Sequence, residues 1–401
     1  MINSVAVFPG QGSFSMEKFN SLIQNFGESR EILSRASSLL GKNIEELISE
    51  GIGKSTYNSQ IITFVSSYIY YTKFKKETDL EFYKFCGHSL GEITALVCAG
   101  VLTFEEGLQY VARRAAAMEK CARTSRGGMM AIFDIDPHQI EQIIGESDVV
   151  ISNYNSKNQI IVSGKESDLN VLEEQLSGEG IYFKRLDVVG AFHSPLMLAA
   201  SNSMHEIEIH YDASRMGAVY SSVLGRPYNE KDDLSDILAN QITSPVLWTQ
   251  VINQLKDSNI TNVVEFGSRS VLANFFKVTY PQKFNTVVSC QEDFETAVKD
   301  LLERFYVNFL KKTIAIAVCS KNESDNVEDY EKYKKCYHKL VQQCNGYIDK
   351  PETVNEKVCI HFYRELFDVL LVLKKVPKDE IQYRKDSLEE LYHIGGLGWD
   401  Y

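Results

Sequence analysis

A short serine motif flanked by glycines constrains the fold of this chain more than any other feature. The motif, Gly87-His88-Ser89-Leu90-Gly91, follows an apolar run that begins at Phe82 and precedes a helix-like run that begins at Glu92. A strand, a sharp turn with serine at its tip and a helix together form a nucleophile elbow. The sequence therefore predicts an α/β core that exposes Ser89 at a helix N-terminus, where backbone N–H groups bind an oxyanion. The alternative is an ordinary glycine-rich turn.

The composition is typical of a globular protein with room for more than one compact unit. The 401 residues are 44% hydrophobic and 24% charged, and the net charge of −12 disfavours general nucleic-acid binding. No apolar run approaches the roughly 20 residues of a membrane span, and the N-terminus lacks the pattern of a secretion signal. The eight cysteines include no C-x-x-C pair, which favours reduced thiols over a zinc or dithiol site. We therefore expect a cytoplasmic protein without a metal and without a membrane partner.

The order of predicted elements divides the chain into a core, an insert and an extension. The pattern strand–helix–strand–strand–helix–strand after Gly127 predicts a ferredoxin-like insert over 127–190. The segments 1–126 and 191–290 then form one larger α/β core, and 291–401 form a mainly helical C-terminal extension. An insert between two parts of one core leaves a cleft at their junction, where a site is expected.

A serine nucleophile needs a base, and His193 is the candidate that the pattern favours. It follows a predicted strand that ends at Val188 and lies in a turn before Pro195. A histidine in such a turn can project its ring into the cleft and act as a general base. The alternative is a packing or capping histidine. His88 is interpreted as structural, because neighbouring side chains on a sharp turn point apart.

The helical pattern over 104–120 directs Arg114 towards the protein interior. At about 100° per residue, Arg114 shares a face with Leu108, whereas Arg113 lies on the opposite, polar face. An arginine on an apolar face needs an anionic partner. That partner is either a buried carboxylate in a structural salt bridge or a substrate carboxylate bound in bidentate geometry.

Gln11 lies in the glycine-rich loop that follows the first predicted strand. A side-chain amide in such a loop can join the Leu90 backbone N–H in binding an oxyanion. The alternative is a glutamine that only completes a turn.

Several motifs occur in the order that is characteristic of one known family. They lie at 8–13, 87–92, 114–118, 153–164, 190–197 and 243–248. Over residues 3–285 the chain resembles the malonyl-CoA:acyl carrier protein transacylases, the acyltransferases of fatty-acid and polyketide synthesis. The resemblance implies an α/β-hydrolase-like large subdomain with an inserted ferredoxin-like small subdomain. The helical extension loosely resembles that of free-standing acyltransferases, which serve polyketide synthases in trans.

The resemblance also implies a role for each candidate residue. Ser89 would be the acylated nucleophile and His193 its base, oriented by a backbone carbonyl. Gln11 and the Leu90 amide would form the oxyanion hole, and Arg114 would hold the free carboxylate of malonate.

The reaction implied by the resemblance is malonyl transfer through a malonyl-serine intermediate. The donor would be malonyl-CoA, and the acceptor would be the phosphopantetheine thiol of an acyl carrier protein, with no bound cofactor. Phe192 would exclude an α-methyl group, a moderate discrimination worth about 1–3 kcal/mol. Two alternatives stay open: a hydrolase that edits stalled carrier proteins, and a non-catalytic subunit that keeps the fold. The inward Arg114 disfavours the hydrolase, since ordinary acyl chains carry no carboxylate.

A cluster of lysines in the extension has two interpretations. Its members are Lys332, Lys334, Lys335 and Lys339. The cluster is either a docking patch for an acidic carrier protein or the solvated face of a helix.

Overall fold

A computed structural model describes residues 2–50, 55–78, 81–258, 260–284, 286–289 and 294–391. The larger of two compact units lies within Ser4–Lys73 and Phe82–Glu292, and the smaller lies within Met1–Asn3, Phe74–Glu81 and Asp293–Tyr401. The boundary predicted between residues 290 and 291 falls outside the described residues. None of the described helices combines the length and the apolar character that a membrane crossing requires.

The chain begins with elements that surround the serine motif. They are β1 (Ile2–Phe8), α1 (Met16–Asn25), α2 (Ser29–Leu40), α3 (Ile44–Ser49), α4 (Thr56–Thr78), β2 (Phe82–Gly87), α5 (Leu90–Cys98) and α6 (Phe104–Ser125). Thr103 and Glu106 form a capping box at the start of α6. This cap satisfies backbone N–H groups that the first helical turn leaves without partners.

The segment that follows α6 forms a small antiparallel sheet with two helices. Its elements are β3 (Gly127–Phe133), α7 (Pro137–Ile144), β4 (Val150–Ser156), β5 (Gln159–Lys165), α8 (Glu166–Gly178) and β6 (Phe183–Arg185). The strand order β4-β5-β3-β6 confirms the predicted ferredoxin-like insert. The β4–β5 register has two irregularities, between Ile151 and Asn153 and between Tyr154 and Ser156.

The chain then returns to a parallel sheet. The elements are α9 (Leu198–His205), β7 (Val219–Tyr220), α10 (Leu234–Asn240), α11 (Trp248–Asp257), β8 (Asn262–Glu265), α12 (Leu272–Thr279) and β9 (Thr286–Ser289). The strand order is β7-β2-β1-β8-β9, and β1–β8, β2–β7 and β8–β9 pair in parallel. Val5, Val7 and Val263 are fully buried, as expected for a parallel sheet covered on both faces. This sheet is the centre of the predicted α/β-hydrolase-like large subdomain.

The last described segment is helical, as predicted, and has a hydrophobic core of its own. Its helices are α13 (Phe294–Cys319), α14 (Val327–Ile348), α15 (Glu356–Arg364), α16 (Leu371–Leu373) and α17 (Lys378–Leu391), with a π-helical turn at Glu365–Leu370. Phe309, Leu340, Phe362 and Leu366 lie in one buried cluster. A separate cluster of this kind is what lets a helical segment pack as a compact unit.

Most of the lysine cluster on α14 is paired within the same helical unit. Lys332 contacts Glu328 at 3.1 Å, Lys334 contacts Glu331 at 3.0 Å, and Lys339 contacts Glu365 at 3.6 Å. These exposed pairs fit the interpretation of a solvated helix face, since such pairs contribute little energy and leave little net charge for a partner.

Candidate active site

The serine motif forms a strained turn between β2 and α5. Ser89 has φ 53° and ψ −111°, a conformation that non-glycine residues rarely adopt. A Cβ atom at Gly87 would lie 1.9 Å from the carbonyl carbon of Gly91, and one at Gly91 would lie 1.9 Å from the carbonyl oxygen of Phe8. Both glycines are therefore needed for close approach of the backbone, and the turn holds Ser89 at the N-terminus of α5.

The structure brings Ser89 and His193 together from positions 104 residues apart. Ser89 Oγ lies 2.7 Å from His193 Nε2. The other ring nitrogen, Nδ1, lies 2.9 Å from the carbonyl oxygen of Gln241 and 3.1 Å from that of Ser244. Because both carbonyls can only accept, Nδ1 carries the proton and Nε2 is free to accept the Ser89 hydroxyl proton.

The environment of His193 keeps its ring neutral. Burial first, and then the positive charge of Arg114, lower the pKa of His193 to about 3. Among the described residues, backbone carbonyls rather than a carboxylate orient the ring. A neutral imidazole with a fixed tautomer is the form that a general base requires.

Arg114 is almost fully buried, with 1% of its surface exposed, and its guanidinium points at the serine. Its Nη2 donates to Ser89 Oγ at 3.1 Å and to Gln241 Oε1 at 2.9 Å, and its Nη1 donates to Gln60 Oε1 at 2.6 Å. Burial lowers the pKa of Arg114 to about 10, which leaves it charged at neutral pH. The inward orientation predicted from the helical pattern is thus confirmed, and Arg113 is exposed.

Gln60 and Gln241 complete the site, and the sequence patterns did not single them out. Gln60 lies on α4, and Gln241 follows the end of α10. The Gln241 side chain also donates to the Ser89 carbonyl at 3.2 Å and to Glu92 Oε2 at 2.8 Å. One signal was available in the sequence, the polar run Asn58-Ser59-Gln60 directly before the apolar residues Ile61 and Ile62. All three polar residues are buried, and polar side chains are rarely buried without hydrogen-bond partners.

The predicted oxyanion residues lie beside the dyad. Leu90 is the first residue of α5, so its N–H belongs to the free end of the helix. Gln11 lies in the loop after β1, and its Oε1 accepts from Gln60 Nε2 at 3.5 Å. Phe192 is nearly buried and, like Gln11 and Leu90, lines the cavity above Ser89.

A cavity of about 820 Å³ opens above Ser89, within the larger unit. The loop after β1, helices α4 and α6, and strands of the insert all contribute to its lining. His88 Nε2 lies 2.8 Å from Asn155 Oδ1, and Asn155 Nδ2 donates to Gln159 Oε1 at 2.8 Å. His88 therefore links the elbow to the insert, as its structural interpretation requires. A cavity of this size accommodates a substrate that is larger than a short acyl group.

The arrangement as a whole suits transfer of an acyl group that carries a carboxylate. It holds a serine hydroxyl at a helix N-terminus, within hydrogen-bond distance of a neutral imidazole and 3.1 Å from a buried cation. A buried guanidinium beside the reacting atom favours a substrate with a negative charge near the scissile carbonyl.

Comparison with known proteins agrees with this chemistry. The acyl transferase domain family matches residues 82–316, and this range ends within α13. The malonyl CoA-acyl carrier protein transacylase of Bacillus subtilis is 30% identical over 309 residues, which are 74% of this chain and 96% of that protein. The polyketide biosynthesis malonyl CoA-acyl carrier protein transacylase BaeC of Bacillus velezensis is 30% identical over 276 residues, or 66% of this chain and 93% of that protein.

A solved structure shows the same fold. The crystal structure of the malonyl CoA-acyl carrier protein transacylase of Clostridium perfringens has a TM-score of 0.69 and 28% identity, and the match covers 75% of this chain and 98% of that chain. The family match spans more than half of the chain, and the first relative is covered almost completely. On these grounds, the chain belongs to the acyl transferase domain family.

Proposed function

We propose that this protein transfers a malonyl group from malonyl-CoA to the phosphopantetheine thiol of an acyl carrier protein. The observation that carries the proposal is the contact of one serine with both a base and a buried cation. Ser89 Oγ lies 2.7 Å from His193 Nε2 and 3.1 Å from Arg114 Nη2. The two transacylases from Bacillus support the choice of donor and acceptor by their own activities.

The first half-reaction forms a malonyl-serine ester. His193 Nε2 takes the Ser89 hydroxyl proton as Oγ attacks the thioester carbonyl of malonyl-CoA. The Leu90 N–H and the Gln11 amide bind the resulting oxyanion. As the intermediate collapses, the carbon–sulfur bond breaks, and the coenzyme A sulfur leaves with the proton from His193.

The second half-reaction repeats these steps with the carrier protein. His193 takes the proton of the phosphopantetheine thiol, and the sulfur attacks the ester carbonyl. The bond to Ser89 Oγ breaks, and Oγ recovers the proton from His193. The base, the acid and the oxyanion donors all come from the chain, so the proposed mechanism assigns no role to a bound cofactor.

Arg114 and Phe192 select the acyl group in this scheme. Arg114 pairs with the free carboxylate of malonate, a charge-assisted contact that acetate cannot make. Phe192 adjoins the base and lines the same cavity, and in this scheme its ring excludes an α-methyl group. We propose that the acceptor belongs to a polyketide or fatty-acid synthase that this protein serves in trans.

The proposed location is the cytoplasm. The described cysteines are all free thiols, which suits a reducing compartment. The proposed reaction consumes the phosphopantetheine thiol of the carrier protein and releases the thiol of coenzyme A, and a reducing compartment keeps both thiols reduced.

Intact-mass measurement after brief incubation with malonyl-CoA or acetyl-CoA tests the proposed function. We expect a malonyl adduct on the wild type that Ser89→Ala abolishes, together with a much weaker acetyl adduct. Subsequent addition of a phosphopantetheinylated carrier protein should remove the adduct from the enzyme and place it on the carrier. Release of free malonate or acetate without an adduct would indicate the editing hydrolase instead. Absence of both adduct and turnover would indicate the non-catalytic subunit.

A further inference from the structure

Among the residues that the structure describes, the guanidinium of Arg114 donates to neutral groups only. The acceptors are two side-chain amides, those of Gln60 and Gln241, and the Ser89 hydroxyl. Among the described residues, no carboxylate lies within 4.0 Å of the guanidinium, and no acceptor takes its Nε–H. A buried arginine usually has a carboxylate partner, because burying an unpaired charge is costly. The exception here needs an explanation.

Gln60 is placed to orient Arg114 without neutralising it. Its Oε1 accepts from Arg114 Nη1 at 2.6 Å, while its Nε2 donates to Gln11 Oε1 at 3.5 Å. The residue is 1% exposed, so its amide has no access to bulk water. A glutamate in this position would keep the shape of the side chain, but it would form an internal ion pair with the arginine.

Gln241 separates Arg114 from the carboxylate of Glu92. Its Oε1 accepts from Arg114, and its Nε2 donates to Glu92 Oε2 at 2.8 Å. Glu92 also accepts from the N–H of Ser222 at 3.0 Å, from its hydroxyl at 2.6 Å, and from the Tyr228 hydroxyl. The buried carboxylate is therefore stabilised by its own donors, and the amide of Gln241 keeps it away from the arginine.

We propose that Gln60 and the side chain of Gln241 determine the selectivity of this site for acyl groups that carry a carboxylate. They fix the guanidinium with neutral oxygens and leave its charge for the substrate. This inference rests on the malonyl transfer proposed above. Both are positioning residues, since they act on the substrate through Arg114.

The test compares the rates of Ser89 acylation by malonyl-CoA and by acetyl-CoA in matched variants. Gln60→Glu adds a charge with nearly no change in shape, and Gln60→Met removes the hydrogen bond without adding a charge. We expect Gln60→Glu to lower the malonyl-to-acetyl rate ratio by roughly 10- to 100-fold, the equivalent of one charge-assisted hydrogen bond. Gln60→Met should lower the malonyl rate but change the ratio by less than about threefold.

Two results would overturn the inference. The first is a malonyl-to-acetyl rate ratio in Gln60→Glu that equals the wild-type ratio. The second is an equal fall of this ratio in Gln60→Glu and Gln60→Met, which would indicate that Gln60 acts only through its shape. Thermal unfolding and circular dichroism verify that Gln60→Glu is folded. If it is not folded, Gln60→Asp is measured in its place, because it adds the same charge on a shorter side chain, and the same fall of the malonyl-to-acetyl rate ratio is expected. A wild-type enzyme that does not favour malonyl-CoA would instead contradict the proposed function, so the two failures are distinguishable.

Discussion

The larger unit and the helical C-terminal unit each bury a cation, and they stabilise it in different ways. Arg114 donates to two side-chain amides and to the Ser89 hydroxyl, beside a cavity of about 820 Å³. Lys374, which is 4% exposed, donates from Nζ to the carbonyl oxygens of Ala317 at 2.9 Å and Ser320 at 2.5 Å. Its Nζ also lies 4.6 Å from the centre of the Tyr333 ring.

The difference separates a cation that stabilises the fold from one that we propose binds a substrate carboxylate. The carbonyls that bind Lys374 lie at the C-terminal end of α13, where a helix leaves its last carbonyls without partners and carries a partial negative charge. Two main-chain carbonyls therefore accept hydrogen bonds from the ammonium. The guanidinium of Arg114 instead donates to two side-chain amides and to the Ser89 hydroxyl, which fits the substrate-binding role proposed for it.

The largest effect should follow from removal of the cation in the cleft. Arg114→Ala should lower kcat/KM for malonyl transfer by about 1,000-fold and leave acetyl transfer nearly unchanged, because only malonate loses a partner. The free energy of unfolding should fall by less than about 2 kcal/mol, because removal of a buried charge without a counterion offsets the loss of a donor for the Gln60 and Gln241 oxygens. Steady-state kinetics and urea denaturation measure the two quantities. A loss of stability large enough to account for the loss of activity would show that Arg114, like Lys374, serves mainly to stabilise the fold.

Removal of the cation in the helical unit should lower stability and leave activity almost unchanged. Lys374→Met should lower the free energy of unfolding by roughly 2–4 kcal/mol, because it leaves two buried carbonyls without a donor. Malonyl transfer at 25 °C, measured well below the unfolding transition, should stay within about twofold of wild type. Lys375→Met is the matched control, as Lys375 is exposed and its pair with Asp329 at 3.8 Å contributes little. Equal destabilisation by both variants would contradict the role assigned to Lys374.

A smaller effect should appear in the pH dependence of acylation. Burial and then Arg114 lower the pKa of His193, so the base stays neutral and the rate should remain constant from about pH 8 to about pH 5. Arg114→Ala should move the acid limb of the acetyl-CoA profile to higher pH, and Lys374→Met should not move it. A wild-type rate that falls with an apparent pKa near 6.5 would contradict the described environment of the ring.

The same shift has a consequence for stability. The pKa of His193 is lower in the folded protein than in the unfolded chain, so the unfolded chain binds more protons below about pH 6.5. The contribution of His193 to stability is therefore fully present above this pH and is lost as the pH falls towards 3. His193→Gln should flatten this part of the stability profile, which thermal unfolding at several pH values would measure.

Local patterns predicted much of this architecture because they report local physics. The elbow needs its two glycines because a Cβ atom at either position would lie 1.9 Å from a backbone atom. The motif therefore indicated both the turn and its place between a strand and a helix. The ferredoxin-like insert followed from the order of its elements. The irregular register between β4 and β5 could not be predicted in this way, because it depends on how the two strands pair and not on either strand alone.

The sequence by itself determined the α/β class, the elbow and the inward orientation of Arg114, since each depends on residues close together in the chain. Only the tertiary structure decided what surrounds the guanidinium. Gln60 and Gln241 lie on elements far apart in sequence, and nothing in their own neighbourhoods indicates that both amides meet one arginine. Local periodicity tells which side chains face inward, whereas the packing of distant elements decides which partners they find there.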